Sequence, residues 1–423
     1  MSMQKQVVTN RVPARRRRPV AKQKPQMGFL EFLFGKRGQP IHFREYGVVI
    51  GVLLLSLVGI IINYSIMSFR QPGWGSLIKS VGFLIVGLIV MYLAADIEYR
   101  AYVPIGVLFY GASLILMIVV RLIGIEINGA RRWLRFFGIT FQPSELAKAA
   151  LIMLIPALII AYNEKLNQLR GILVCIAVTV LPFVFAWKLT DNFSTATIIA
   201  GIAALIVAVA RKPWKLQLFF ILGTMIAVAL FIAFVIVTHK SGSTVGGFRV
   251  GRVNAWLFQD PGNAISYQTM QSLYAIGSGG MFGRGIGRSL QKLGFIPEAQ
   301  NDMVFSVLAE ELGVIGVILI LILYAYILYR IMMVAYNSPN AYSSLVVYGV
   351  FFHIALQVVL NIAVVTNLMP NTGVTLPFIS SGGTSTVILM GELGLVLGVA
   401  RRMKFKNPHE PAERQSPEIE KGR

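Results

Sequence analysis

Ile296-Pro297-Glu298-Ala299-Gln300-Asn301-Asp302 closes a polar interruption (239–302) in a chain that is otherwise almost entirely apolar, and the next apolar run begins at residue 303. A carboxylate at the mouth of a membrane-crossing helix is costly to keep there unless it is used. The segment feeding it is rich in Arg and Gly. That combination points to chemistry at the membrane surface, where the head of a lipid-linked substrate lies.

Outward from that point the chain reads as hydrocarbon-spanning. Of its 423 residues 56% are hydrophobic and 13% charged, a balance that excludes a soluble domain and a disordered chain. A helix needs roughly 20 apolar residues to cross the hydrocarbon core. Ten runs qualify: 46–67, 78–94, 103–123, 145–162, 169–187, 196–210, 216–238, 303–329, 344–365 and 385–400. The sixth is short and borrows interfacial residues. Barrel-type alternation is absent, so the expected fold class is an all-α polytopic membrane protein with ten transmembrane helices. The first run follows a long basic segment and is not a cleavable signal peptide. The single Cys175 excludes an intrachain disulfide and a cysteine-based metal site.

The net charge of +21 is unevenly placed. Residues 1–40 form a basic tail with the run Arg15-Arg16-Arg17-Arg18, expected to be flexible, and 404–423 form a second polar tail. Between them lies the ten-helix domain, 41–403. With ten spans both termini share one side, and the positive-inside rule makes it cytoplasmic. The loops carrying Arg100, Lys165 with Arg170, and Arg211, Lys212 and Lys215 then also fall inside. A large extracytoplasmic loop (239–302) separates spans seven and eight. Basic residues beside a first span fix topology and touch anionic lipid rather than nucleic acid.

Cations on the outer face oppose that bias. Arg131, Arg132 and Arg135 follow the third span, and Arg249 and Arg252 lie in the large loop. An anionic substrate favours them, because Arg pairs bidentately with phosphate. Lipid phosphate in general is the alternative for the first three. Glu145 and Lys148, i and i+3 on the fourth span, either pair with each other or serve helix-start chemistry behind Pro143. Glu310 and Glu311 are adjacent, so only one can face a given cavity. Glu392 should face the bundle interior.

The glycine-dense run 277–288 lacks the βαβ context of a nucleotide fingerprint. It reads either as a tight outer loop whose amides approach a phosphate or as simple flexibility. Residues 367–385 are apolar but broken by Pro370, Pro377 and glycines. Such backbone is tolerated at membrane depth only against protein or a water-filled cavity, so this irregular outer segment is expected to wall a cleft. Asp191-Asn192 reads mainly as a turn and helix N-cap.

Taken together, Asn128-Gly129-Ala130-Arg131-Arg132-Trp133, Phe141 to Lys148, Tyr267-Gln268 with Gln271-Ser272, the glycine loop, Pro297-Glu298 with Asn301-Asp302, Glu310-Glu311-Leu312-Gly313, and Pro377 to Gly383 resemble the SEDS family (shape, elongation, division and sporulation). The matches run in order from about residue 44 to 402. Phe141 to Lys148 and Asn361 to Thr366 look more like the division and sporulation branch (FtsW, SpoVE) than the elongation branch (RodA). Lys188, Leu189 and Thr190 depart from the Gln-Pro expected before Asp191, Ser381 stands where Tyr is frequent, and Asn301 where Thr is frequent.

The resemblance implies a peptidoglycan glycosyltransferase of the bacterial inner membrane, at the division septum. It would polymerise lipid II and release undecaprenyl pyrophosphate beside a class B penicillin-binding protein and other divisome proteins. It puts the essential acid at Asp302. Arg249, Arg252, Lys148, Glu145, Arg131, Arg132, Tyr267, Gln268, Gln271, Ser272, Pro297, Glu298, Ser380, Ser381, Gly382 and Gly383 become candidate substrate-binding residues. The departing diphosphate needs cations, or a divalent metal (magnesium or manganese) for which Asp302 is the candidate ligand. The acceptor hydroxyl needs a base. The bond energy is stored in the substrate, so no nucleotide, haem or flavin is expected, and no nucleic acid partner. A lipid II flippase is the alternative, since intramembrane Glu145, Lys148, Glu310 and Glu392 also fit a transport path; a non-catalytic divisome scaffold is a third reading.

Overall fold

A computed structural model of the chain describes residues 46–70, 74–127, 130–136, 138–162, 169–210, 256–257 and 264–403. In chain order the helices are α1 (Tyr46–Arg70), α2 (Gly75–Asp96), α3 (Tyr102–Ile123), α4 (Pro143–Ala161), α5 (Leu169–Val184), α6 (Phe193–Ala210), α7 (Ala264–Gly279), α8 (Val304–Tyr336), α9 (Ala341–Val365) and α10 (Gly383–Ala400). Nine of these, all but α7, are long and apolar enough to cross a membrane. The expected span at 216–238 and both tails lie outside the described residues.

A feature absent from the helical reading sits between α3 and α4. Strands β1 (Ile125–Ile127), β2 (Ala130–Phe136) and β3 (Ile139–Phe141) form an antiparallel sheet in the order β1-β2-β3. The β-branched and aromatic content of this stretch suits a pleated cap. Its short strands lie too close to the flanking helices to register as a separate unit in an apolarity scan.

The ends of the elements sort as the alternation of spans requires. At one end Arg132 meets Asp191, Thr384 meets Thr140, and Asn361 meets Asp302. At the other, Arg401 pairs with Asp96 and the Tyr102 hydroxyl meets the Leu395 carbonyl. The first end carries the described parts of the loops that the charge pattern assigns to the outside, and is called the outer end below.

Packing between helices follows membrane rules: lipid competes for apolar surface, so close approach of small residues replaces hydrophobic burial. The most extensive helix contact joins α2 and α10. There Gly394 lies against the Met91 carbonyl, and Gly398 against that of Ala95. Helix α4 is the central element, with 72% of its span window buried against 11% for α2. Buried Ala147, Leu151, Ile152 and Ile155 carry α4 through the core.

Helix α8 bends at Gly313, whose backbone (φ 68, ψ −174) is not helical. The bend frees carbonyls that the glycine loop then satisfies. Arg284 N donates to Glu310 O (2.9 Å) and Gly285 N to Glu311 O (3.0 Å), while Val314 N donates to Gly280 O (3.0 Å). A Cβ on Gly313 would strike the Gly283 amide and the Met281 carbonyl. The Arg284 and Gly285 amides are thus committed to α8 and are not open to a phosphate. The physical reason is the bend: broken helical hydrogen bonds need partners within the protein.

Candidate functional site

The outer end holds a polar cavity of about 70 Å³. Four structural pieces converge on it. Strand β2 contributes Arg132 and Trp133; α4 contributes Glu145 and Lys148, preceded by Gln142; α6 contributes Ser194 and Thr195, preceded by Asn192; and α9 contributes Gln357. The irregular segment closes the remaining side with Gly373, Val374, Thr375, Gly382 and Ser385.

Local sequence explains the placement. Pro143 starts α4 at its first helical position, where the missing N–H costs nothing. That sets Glu145 and Lys148 in the first turns, on the same face. Lys148 Nζ lies 2.7 Å from Glu145 Oε1 with both side chains buried, and Ser385 donates to Glu145 Oε2 at 3.0 Å. The pairing expected from the sequence is therefore present, and it forms a floor of the cavity. At α6, Asn192 Oδ1 accepts from Thr195 N (3.1 Å), the N-cap read from the sequence. The backbone of Asp191, in the left-handed region (φ 47), turns its carbonyl to Arg132 Nη2 at 2.7 Å. Arg132 is thereby aimed into the cavity, whereas Arg131 points out and pairs with Glu126 at 3.5 Å.

Asp302 is half-buried and is not itself among the residues lining the cavity. Its Oδ2 is 3.6 Å from where a Cβ on Gly373 would sit. Gly373, with φ +71, is the wall between the carboxylate and the cavity. One side-chain amide holds this geometry. Asn361 Nδ2 donates to the Asp302 carbonyl (2.8 Å) and to the Val374 carbonyl (2.7 Å), tying the acid's turn to the irregular segment.

The remaining candidates support that turn. Ser380 donates to Asn301 O (2.6 Å) and Ser381 to Asn301 Oδ1 (2.7 Å). Glu298, strained at φ 53, accepts from Asn301 Nδ2 at 2.6 Å. Gln268 donates to the Pro297 carbonyl (3.1 Å) and accepts from Asn371 (3.2 Å); Ser272 donates to the Val365 carbonyl (3.2 Å). Tyr267 is exposed, and Gln271 is half-buried beside it on α7. Ser380, Ser381, Glu298, Gln268 and Ser272 act on the shape of the site, since they are hydrogen-bonded within the protein. Arg249 and Arg252 lie outside the described residues.

A second, larger cavity of about 490 Å³ lies on the far side of the same strap. Ser380, Ser381 and Gly383 face it, together with Ile60 and Asn63 of α1 and Phe83 and Leu84 of α2. The strap thus separates two cavities, with Gly382 and Ser385 on the polar one.

Sequence reading missed Gln142, Trp133, Gln357, Asn361, Gly373 and Ser385 as site residues. A signal existed for two of them: His353, Gln357 and Asn361 recur at four-residue spacing in an apolar helix, one polar stripe facing inward. Among the described residues no three His, Cys, Asp or Glu side chains converge as a metal site.

Comparison with known proteins gives the family and the fold. A family model described as "Cell cycle protein" (FtsW, RodA and SpoVE) matches residues 46–405. The chain is 31% identical over 369 residues to stage V sporulation protein E of Bacillus subtilis, covering 85% of this chain and 97% of that protein. It is 32% identical over 379 residues to the "Probable peptidoglycan glycosyltransferase FtsW" of Trichlorobacter lovleyi, covering 87% and 96%. Among solved structures, it is similar to a chain reported under "Structural coordination of polymerization and crosslinking by a peptidoglycan synthase complex", with TM-score 0.66, 27% identity, and coverage of 84% and 97%. The rod shape determining protein RodA of Thermus thermophilus aligns with TM-score 0.61 and 29% identity, covering 85% and 98%.

Proposed function

The chain belongs to the FtsW/RodA/SpoVE family of cell cycle proteins, and from that membership we infer that it is a multi-pass membrane peptidoglycan glycosyltransferase that polymerises lipid II. The observation that carries the reading is the placement of Asp302 against Gly373, a residue lining the cavity that Lys148 and Arg132 also line.

Polymerisation forms a bond between the acceptor's 4-hydroxyl and the donor's anomeric carbon, and breaks the bond from that carbon to the diphosphate. Asp302 takes the hydroxyl proton or orients the acceptor, a contribution of typically 10²–10⁴-fold for general-base catalysis. Lys148 and Arg132 meet the negative charge that collects on the departing diphosphate. Arg249 and Arg252 are further candidates for that charge. The larger cavity, walled by Ile60, Phe83 and Leu84, suits the prenyl chain of a lipid-linked sugar. A divalent ion at the diphosphate would rely on Asp302 and the substrate's own oxygens. Among the described residues no three His, Cys, Asp or Glu side chains converge there.

A class B penicillin-binding protein as partner and the division septum as place of action belong to the same proposal; the synthase complex, named for coordinating polymerization and crosslinking, supports a crosslinking partner. The flippase reading loses one of its groups: Glu310 accepts from the amides of Leu290 (3.0 Å) and Gln291 (3.3 Å) and so is spent on loop structure.

Purified protein given lipid II should make glycan strands, by a moenomycin-insensitive reaction. The Asp302→Ala variant should bind lipid II and make none. Normal chain growth by that variant would remove the base assignment.

A further inference from the structure

The glycine loop docked on the bend of α8 turns apolar side chains outward. Met281, Phe282 and Ile286 are all exposed, Phe282 to 83%. The backbone beneath them is paired. Gly283 N donates to the Gly279 carbonyl (2.9 Å), and the Arg284 and Gly285 amides donate to the Glu310 and Glu311 carbonyls. The Gly280 and Met281 carbonyls accept from Val314 N (3.0 Å) and Ile315 N (3.2 Å). Water requires no such pairing and penalises the exposed side chains. An apolar surrounding reverses both conditions: it tolerates irregular backbone only when its polar groups have partners within the protein.

The helix on which the loop docks sets its depth. Residues Val304 to Glu311 of α8 are buried, and exposure of apolar side chains begins at Val314 and Ile315, just past the bend. The exposed face continues through Ile318, Leu319 and Ile322. Tyr326, Tyr329 and Arg330 follow, the aromatic and basic composition of a membrane boundary. A straight helix rises about 26 Å from Gly313 to Arg330, at 1.5 Å per residue. The hydrocarbon core is roughly 30 Å thick. With Arg330 at the inner boundary, Gly313 and the loop bonded to it lie near the outer one. The apolar face of the loop is thus continuous with the face that α8 presents along the bilayer. Two exposed cations, Arg284 and Arg288, alternate with the loop's apolar residues at that level. Arg284 also lies 3.7 Å from Glu310 Oε1 and donates to the Ser278 carbonyl at 3.4 Å.

We propose that residues 281–288 are an interfacial anchor whose occupant is the phospholipid of the outer leaflet. Met281, Phe282 and Ile286 enter the boundary between headgroups and acyl chains, the depth at which interfacial segments bury their apolar face. Arg284 and Arg288 meet lipid phosphates, which a guanidinium pairs with while its stem stays among apolar groups. The outward cations of this loop therefore serve the bilayer, and its glycines allow the backbone to fold back onto α8.

The test places single spin labels on the purified full chain in phospholipid nanodiscs, with Cys175→Ala as background and gel filtration to confirm folding. Collision of each label with oxygen, which concentrates in the acyl region, is compared with collision with a water-soluble nickel chelate. Leu319→Cys supplies the lipid reference and Asn337→Cys the aqueous one, both being exposed positions. Labels at Phe282→Cys and Ile286→Cys should match the lipid reference, and Arg288→Cys should fall between the two. Met281→Cys with Ile286→Cys carries the test if Phe282→Cys does not fold. Nickel access at the apolar positions equal to that at Asn337 overturns the anchor. Protection from both reagents also overturns it, because the loop is then covered by protein, either a second copy or another part of the chain. A fully aqueous label at Arg288 overturns the phosphate contact.

Discussion

Asn361 holds the backbone of Asp302 by an amide hydrogen bond to its carbonyl, 2.8 Å long, and with its other N–H reaches the Val374 carbonyl. A buried side chain at the outer end of the polar stripe on α9 thus ties the acid's turn to the cavity wall. Replacing it with Leu leaves both carbonyls without their donor and lets the turn drift. Misplacement by about 1 Å can cost on the order of 10²-fold in rate. Asn361→Leu should lower the rate of glycan synthesis by about that factor while lipid II affinity changes little, as measured by steady-state polymerisation beside equilibrium binding. Equal losses in both would show that Asn361 serves binding.

Lys148 and Glu145 form a buried pair, and breaking such a pair costs more than removing it. Loss of one partner typically destabilises by about 3–5 kcal/mol, whereas replacing both by apolar groups is often neutral. Lys148→Met should therefore lower the melting temperature more than the double variant Lys148→Met/Glu145→Gln. Both should be inactive. A melting series in detergent checks the order; a double variant less stable than the single one would contradict it.

Gly373 separates Asp302 from the cavity at a positive φ. Gly373→Ala adds backbone strain of about 1–3 kcal/mol and a methyl group against Oδ2. Polymerisation should drop by more than tenfold, while the protein still elutes as a folded species by gel filtration. Full activity would mean that the Asp302 carboxylate does not work past this wall.

The bend in α8 depends on Gly313 and on the glycine loop docked there. Gly313→Ala should expose the loop, measured as faster proteolysis between Met281 and Leu293, with a lower melting temperature. Glu310→Gln should do the same more weakly, since its one amide oxygen still accepts from the Leu290 or the Gln291 amide but not from both, which meet different carboxylate oxygens in Glu310. Unchanged proteolysis in both would separate the loop from the bend.

Much of this site was legible in the residues. Asp302 stood out because a carboxylate at a helix mouth needs a reason, and Glu145 with Lys148 because three-residue spacing on a helix forces proximity. The N-cap at Asn192 followed from local chemistry alone. The roles of Ser380, Ser381 and Glu298 were not legible. They read as groups offered to a substrate, yet their polar atoms bond Asn301, which is distant in sequence from the two serines. The glycine loop misled for a similar reason: free amides in a sequence become engaged amides once α8 bends beside them.

Sequence by itself determined the membrane-spanning class, the alternation of the described loops between two ends and the family, because hydropathy, charge bias and short-range spacing act within one segment. Only the tertiary structure decided that Gly373 walls the cavity, that Asn361 ties the acid to Val374, and that His353 meets Glu392. Those contacts join segments far apart in the chain, and their geometry depends on how helices pack, a property of the whole bundle that no local pattern encodes.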